Sequence, residues 1–185
     1  MLAINDHSFI KRAESIREKG NNRSKFFRGE VDKYSWVDIG ISFLPSDIIA
    51  AFMYAQLENL ETIQAKRISI WNTYNEGLME LSGLVQLPYI PDYASNNAHM
   101  YYIVSRSLEE RTALIEHLKK DDIHAVFHYL SLHQSPLYKD KHDGRALPMA
   151  DHYSDCLVRL PMYYALDTKD VASRIVDSVR RFYKV

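Results

Sequence analysis

Residues 45–81 read "PSDIIAAFMYAQLENLETIQAKRISIWNTYNEGLMEL", and whether they form one helix or a hairpin decides what kind of molecule this is. Ser46 is placed to cap a helix start after Pro45, with Asp47 against the positive helix end. From there to Leu81 there is no proline, and the only glycine, Gly77, lies in the last turns before Gly83. A single helix of that length would run roughly 50 Å. Leu57, Leu60, Trp71, Tyr74, Leu78 and Leu81 fall on one stripe, which Gln64 and Arg67 interrupt. A stripe broken in the middle points to a helix that packs on different partners at its two ends. The alternative is a hairpin turning near Ala65, where no turn residue stands.

The flanks differ in character. Upstream, "LAIN" (2–5) reads as a short strand and "HSFIKRAESIREKG" (7–20) as a helix, with Asp6 to cap it and Gly20 to end it. A strand at that position has to borrow its sheet from elsewhere. Residues 21–38, "NNRSKFFRGEVDKYSWVD", are polar, aromatic and without period, and read as a long loop. Loops of that length are uncommon unless they serve a function. Downstream the pattern becomes α+β. "LVQLP", "HMYYIVSR" and "HAVFHYL" are strand candidates. "SLEERTALIEHLKKDD" is a helix with Ser107 and Glu110 as a capping box. "MADHYSDCLVRLP" reads as a helix ending at proline, and "DTKDVASRIVDSVRRFYK" as a closing amphipathic helix. The fold class is therefore α/β (α+β), with a long linking helix and a small two-layer domain.

Composition excludes several functions. With 23 Lys plus Arg against 24 Asp plus Glu, the net charge is −1 and no basic footprint argues for nucleic acid. No apolar run approaches the ~20 residues that cross a bilayer, and the first residues are too charged for a signal peptide, so a cytoplasmic location and no membrane partner are expected. The single cysteine, Cys156, rules out an internal disulfide and reads as a buried, inert thiol. Thirteen tyrosines suit pockets and interfaces.

The stretch "HAVFHYLSLH" (124–133) carries three of the eight histidines. A helical zinc motif needs a glutamate between histidines four apart, but Ala, Val and Phe stand between His124 and His128. These residues favour a strand, on which His124, Val126 and His128 would share a face. No metal site is expected. Histidines hydrogen-bonded at a strand end are the plain alternative to a functional cluster. No nucleophile triad, phosphate loop or carboxylate pair rises above chance, and no catalytic residue is assigned.

The phrases "SIREKGNNRSKFFRGEVDKYSW", "DIGISFLPSDIIAAFMYAQLENLE", "NNAHMYYI", "AVFHYLSLHQSPLY" and "LVRLPMYYALDTKDV", in this order, resemble the DegT-type sugar-nucleotide aminotransferases. These are fold-type I enzymes that use pyridoxal phosphate (PLP). The resemblance runs from residue 2 to the C-terminus. It is strongest to the subgroup that converts dTDP-4-keto-6-deoxyglucose to dTDP-4-amino-4,6-dideoxygalactose for surface polysaccharide. It implies three regions: 1–45 as the end of a large domain with an interface and substrate loop, 46–82 as the linking helix, and 83–185 as the small α+β domain.

The resemblance further implies a homodimer, glutamate as amino donor and a dTDP-linked 4-keto sugar as acceptor. Ser42 stands where many members carry an asparagine that reaches the cofactor phosphate of the other subunit; the dTDP-sugar subgroup has serine there. Asn22, Arg23, Phe27, Arg28, Lys33, Tyr34 and Trp36 would wall the neighbouring subunit's substrate site, with cations for a diphosphate and aromatics for stacking. His128, Tyr129 and His133 would face the substrate cleft, flanked by His99 and Tyr101. The family's Schiff-base lysine belongs to a motif that none of this chain's lysines stands in. The chain is thus expected to be the C-terminal part of such an enzyme, without covalently held PLP and inactive alone. A non-catalytic module for dimerisation or sugar-nucleotide binding is the rival reading.

Overall fold

The computed structural model describes residues 2–166 and 168–185, with Thr168 and Lys169 described by backbone only. The chain divides into two compact units, Met1–Glu58 and Asn59–Val185.

In the first unit, Asp6 accepts the Ser8 amide at 2.9 Å and opens a 3-10 turn, His7–Phe9, that leads into α1, Ile10–Arg17. Residues 2–5, expected as a strand, form none. A strand must hand its N–H and C=O groups to a neighbour, and no described residue pairs with these. Gly20 closes the helix at φ +78, and a Cβ there would sit 1.9 Å from the Asp38 carbonyl oxygen. The expected loop contains a short helix, α2, Arg23–Phe27, started by the Asn21 side chain, which accepts the Arg23 amide at 3.0 Å. The unit ends in α3, Asp47–Glu58, where Ser46 Oγ accepts the Ile49 amide.

The helix expected over 45–81 is therefore two segments, α3 and α4 (Leu60–Leu78), separated by Asn59 at φ −101 and ψ 9. The Asn59 carbonyl already accepts the Ile63 amide at 3.0 Å, so only one residue is off-pattern. Asparagine competes with its own backbone for hydrogen bonds, which disfavours it in a helix interior.

In the second unit α4 supplies the core. Ile70, Trp71, Tyr74 and Leu78 are buried, and Leu81 follows them in the 3-10 turn Met79–Gly83. The polar gap in the stripe has a partner of its own. Gln64 donates to the Asn97 carbonyl at 2.7 Å, and Arg67 donates to those of Ala98 and His99. The segment so held leads into β1, Tyr102–Val104, and α5, Leu108–Lys120, follows. Ser107 caps α5 by accepting the Glu110 amide; Glu110 reaches back to the Arg106 amide, one residue before the expected box.

β2 is only Val126–Phe127, and "LVQLP" contributes a single bridge, Gln86 to Val104. The expected helix over 149–161 is half right. Helix α6, Pro148–Cys156, stops and the chain continues as β3, Leu157–Arg159. That strand is the centre of the antiparallel sheet, order β1-β3-β2, with Val158 opposite both Ile103 and Phe127. Strand formation follows from alternation: Val158 and Leu160 are buried while Leu157 and Arg159 are half-exposed. A π-helical turn, Thr168–Ala172, leads into α7, Ser173–Tyr183, which buries Ile175, Val176 and Val179 against α4 and α5. Asp167, part of the expected closing helix, lies outside the described residues.

The α4–α7 contact depends on Gly77. A Cβ there would stand 2.6 Å from Val176 Cγ1. Gly77→Ala should therefore destabilise the chain by about 1–3 kcal/mol in urea melts, although alanine favours helix by ~1 kcal/mol. In a Val176→Ala background the same change should cost less, which a double-mutant cycle reads directly.

Candidate functional site

The sequence-predicted residues fall into two groups, one in each unit. In the first, residues 21–36 are tied at their ends. Asn22 binds Ser35 both ways, its amide donating to the Ser35 carbonyl and its side-chain oxygen accepting the Ser35 amide at 2.7 Å. Asn21 and Trp36 form an antiparallel bridge. Between them Phe26 meets Phe27 and Tyr34 edge-on, with centroids 5.7 Å apart in both pairs. The Arg23 guanidinium lies 5.2 Å over the Phe27 ring. Trp36 is 82 % exposed, and Lys33 and Tyr34 are exposed as well. Ser42 bridges Glu18 through its backbone and is exposed.

Arg28 is placed differently from its neighbours. Its guanidinium forks onto both oxygens of Glu14, at 2.6 and 3.0 Å, and its Nε reaches Glu30 at 2.6 Å. These hydrogen bonds hold both carboxyls below their usual range and raise the arginine's own pKa. Arg28 thus links the loop to α1, whereas Arg23 and Lys33 have no carboxylate partner among the described residues.

In the second unit the histidines separate. His128 accepts, through Nδ1, a hydrogen bond of 2.8 Å from Arg159. Burial, then Arg159 and His99, lower its pKa. His133 instead pairs with Asp151 at 3.0 Å, its ring 5.1 Å from that of His142. His124 is exposed beside Asp122. Tyr129 is exposed, its carbonyl accepting from the Ser154 hydroxyl. Of the expected flanking pair, His99 is exposed, while Tyr101 is buried between Trp71 and Tyr74 with its phenol pushed up by desolvation. Tyr101 belongs to the core, because its ring fills the space under α4. Among the described residues no group of three or more His, Cys, Asp or Glu is arranged to hold a metal ion. Cys156 is buried, and burial raises its thiol pKa.

Sequence reasoning missed Arg159, His142 and Asp151. Arg159 was hidden inside a stretch read as helix; its alternation with Val158 and Leu160 was the available signal.

A family model described as the DegT/DnrJ/EryC1/StrS aminotransferase family matches residues 1–180. A dTDP-4-dehydro-2,3,6-trideoxy-D-glucose 4-aminotransferase from Saccharopolyspora spinosa is 27 % identical over 176 residues, covering 92 % of this chain and 45 % of that protein. A DegT DnrJ EryC1 StrS aminotransferase from Brucella abortus has a solved structure that superposes with a TM-score of 0.78. It is 27 % identical and covers 98 % of this chain and 45 % of that one. Spr1654 of Streptococcus pneumoniae, solved in its PLP form, shares the fold at a TM-score of 0.77 and 21 % identity, over 98 % of this chain and 45 % of that one. The chain spans about half the length of the curated relatives it matches. The helices and small sheet described above are thus part of the fold these proteins share.

The Arg28 clamp has a defined pH dependence. Because both carboxyls are held low, its contribution is complete above the ordinary carboxylate pKa and is lost as pH falls through the lowered values. The NMR signals of Arg28 Nε and Gly29 are expected to keep their folded positions at pH 7 and to move toward random-coil values below about pH 4. In Arg28→Gln the Gly29 signal should already be displaced at pH 7.

Proposed function

The chain belongs to the DegT/DnrJ/EryC1/StrS aminotransferase family, and from that premise we propose that its residues form substrate walls of a sugar-nucleotide aminotransferase. The substrate is a dTDP-linked 4-keto-6-deoxyhexose, the amino donor glutamate and the cofactor PLP. The observation that carries the proposal is the tied loop 21–36, which presents Arg23 and Lys33 together with the open rings of Phe27, Tyr34 and Trp36. Cations without carboxylate partners suit a diphosphate, and exposed aromatic faces suit a base or sugar. Asn22 holds the loop's shape through Ser35, and Arg28 does so through Glu14 and Glu30. His128, Tyr129 and His133 form the edge of the cleft contributed by the small domain.

PLP tests the chain's chemistry differently. None of the lysines whose side chains are described is buried. None therefore has the desolvated setting that lowers an ammonium's pKa for covalent bond formation. These residues do not fit a covalent hold on the cofactor, and the amino-transfer step is assigned to none of them. Ser42, with its exposed hydroxyl, is the residue suited to donate to a cofactor phosphate. A homodimer is part of the proposal. Large apolar side chains on α3, Ile48, Ile49 and Phe52 among them, are exposed, and exposed apolar surface of this kind marks a partner interface.

Titrating the 185-residue chain with dTDP should quench Trp36 fluorescence saturably. Arg23→Ala or Lys33→Ala should each weaken binding by about fivefold to tenfold, the value of roughly 1–1.4 kcal/mol per contact. Absence of quenching at millimolar dTDP would remove the nucleotide from this reading and leave the dimerisation module. Added PLP should give no absorbance band that survives dialysis. A persistent Schiff-base band would show that one of these lysines is an anchor after all.

A further inference from the structure

Strand β3 is built from alternating residues, and its outward one is a cation. Val158 is buried in the core, whereas Arg159, opposite Tyr102 on one side and Val126 on the other, lies half-buried on the opposite face of the sheet. Charges are not usually left there alone. Elsewhere in the same unit Arg106 ends on Glu110, Arg180 on Glu80 and Arg181 on Asp121.

Among the described residues Arg159 has no carboxylate within 4.0 Å, and its one side-chain partner there is His128. That partner cannot supply charge. It accepts through Nδ1, which leaves its ring proton on Nε2, and burial and the neighbouring Arg159 and His99 hold it neutral. Nε of Arg159 is buried and makes no hydrogen bond, so the inner edge of the guanidinium is closed to any ligand. Among the described residues Nη2 has no hydrogen-bond partner. That leaves Nη2, with the second proton of Nη1, as donors for the oxygens of an oxyanion. A half-buried guanidinium whose one companion among the described residues is a neutral imidazole has met part of its desolvation cost without a counter-charge.

We propose that Arg159, oriented by His128, is a binding site for one oxyanion group, carboxylate or phosphate, of a small ligand. His128 fixes the plane of the fork by accepting from Nη1, and His99 stands beside it as a second ring within electrostatic range. Arg67 holds the His99 carbonyl at 2.5 Å and so fixes the backbone of that neighbour. The site stands on these contacts alone and does not require the sugar-nucleotide reading.

The test is NMR titration of the 185-residue chain with glutamate and, separately, inorganic phosphate, at ionic strength matched with chloride. The signals followed are Arg159 Nε and the His128 ring. Saturable shifts with half-saturation on the order of 1 mM are expected for at least one anion, and the tighter of the two identifies a carboxylate or a phosphate ligand. Arg159→Gln should abolish the shifts of the His128 ring, the signal that remains in the variants. Should that variant unfold by circular dichroism, Arg159→Lys decides: it keeps stem and charge but loses the fork, and at least tenfold weaker binding is expected. No saturable shift from either anion, or shifts unchanged in Arg159→Gln or Arg159→Lys, overturns the proposal. Trp36 quenching by dTDP reads the other unit, so the two ideas fail separately.

Discussion

The double pairing of β3 is the constraint on which residues 59–185 depend. β1 and β2 both hydrogen-bond to β3 and not to each other, so Leu157–Arg159 hold the sheet together from the middle. A one-residue slip would exchange Val158 for a neighbour and turn a guanidinium into the core. Val158, Ile103 and Leu160 join Tyr74, Leu78, Leu114 and Val179 in one buried cluster. A register fixed by burial on one face therefore also fixes what the other face presents. The position of Arg159 follows from Val158.

Helix α4 solves a related problem. A fully apolar stripe would pack anything, whereas Gln64 and Arg67 select the carbonyls of residues 97–99. Just before β1, Asn96 and Asn97 turn the chain by accepting the amides of Ala98 and His99. Below them the same helix is dry, and Tyr74 donates its phenol to the Pro161 carbonyl at 2.7 Å. The break in the hydrophobic pattern is where helix and strand entry are joined by polar contacts, and the sequence shows that division at residue level.

What the sequence made legible was local and chemical: the Ser107 and Asp6 caps, the Gly20 turn, the stripe with its gap, the closing amphipathic face of α7. What it concealed was decided by distant partners. "LAIN" has strand propensity but no described neighbour to pair with. "LVRL" follows a helix without punctuation, and only pairing to β1 and β2 makes it a strand. In the loop, the apolar aromatics hid a helical turn that Asn21 starts through one side-chain bond. The histidines of 124–133 looked like a cluster because they are close in sequence. The structure sends His128 to Arg159 and His133 to Asp151, residues 31 and 18 positions away. Family resemblance was legible where single motifs were not, because it summed many weak matches over the whole chain.

The two units hold their candidate residues by different means, and this bears on how each would respond to ligand. Residues 21–36 have little core beneath them. Their shape rests on the Asn22–Ser35 pair, the Gly20–Asp38 crossing and the carboxylates around Arg28, all polar and near the surface. Ion pairs of this kind are each weak in water and are sensitive to pH and salt, so the part of the loop's shape that Arg28 holds is the part that acid and salt loosen. Arg159 instead sits on β3, whose opposite face is the buried core, and His128 follows β2, whose Val126 and Phe127 are exposed. A donor fork mounted on such an element is already oriented before a ligand arrives, and binding there need order little else. The loop is thus held by polar contacts at the surface, and Arg159 by a strand backed by the core.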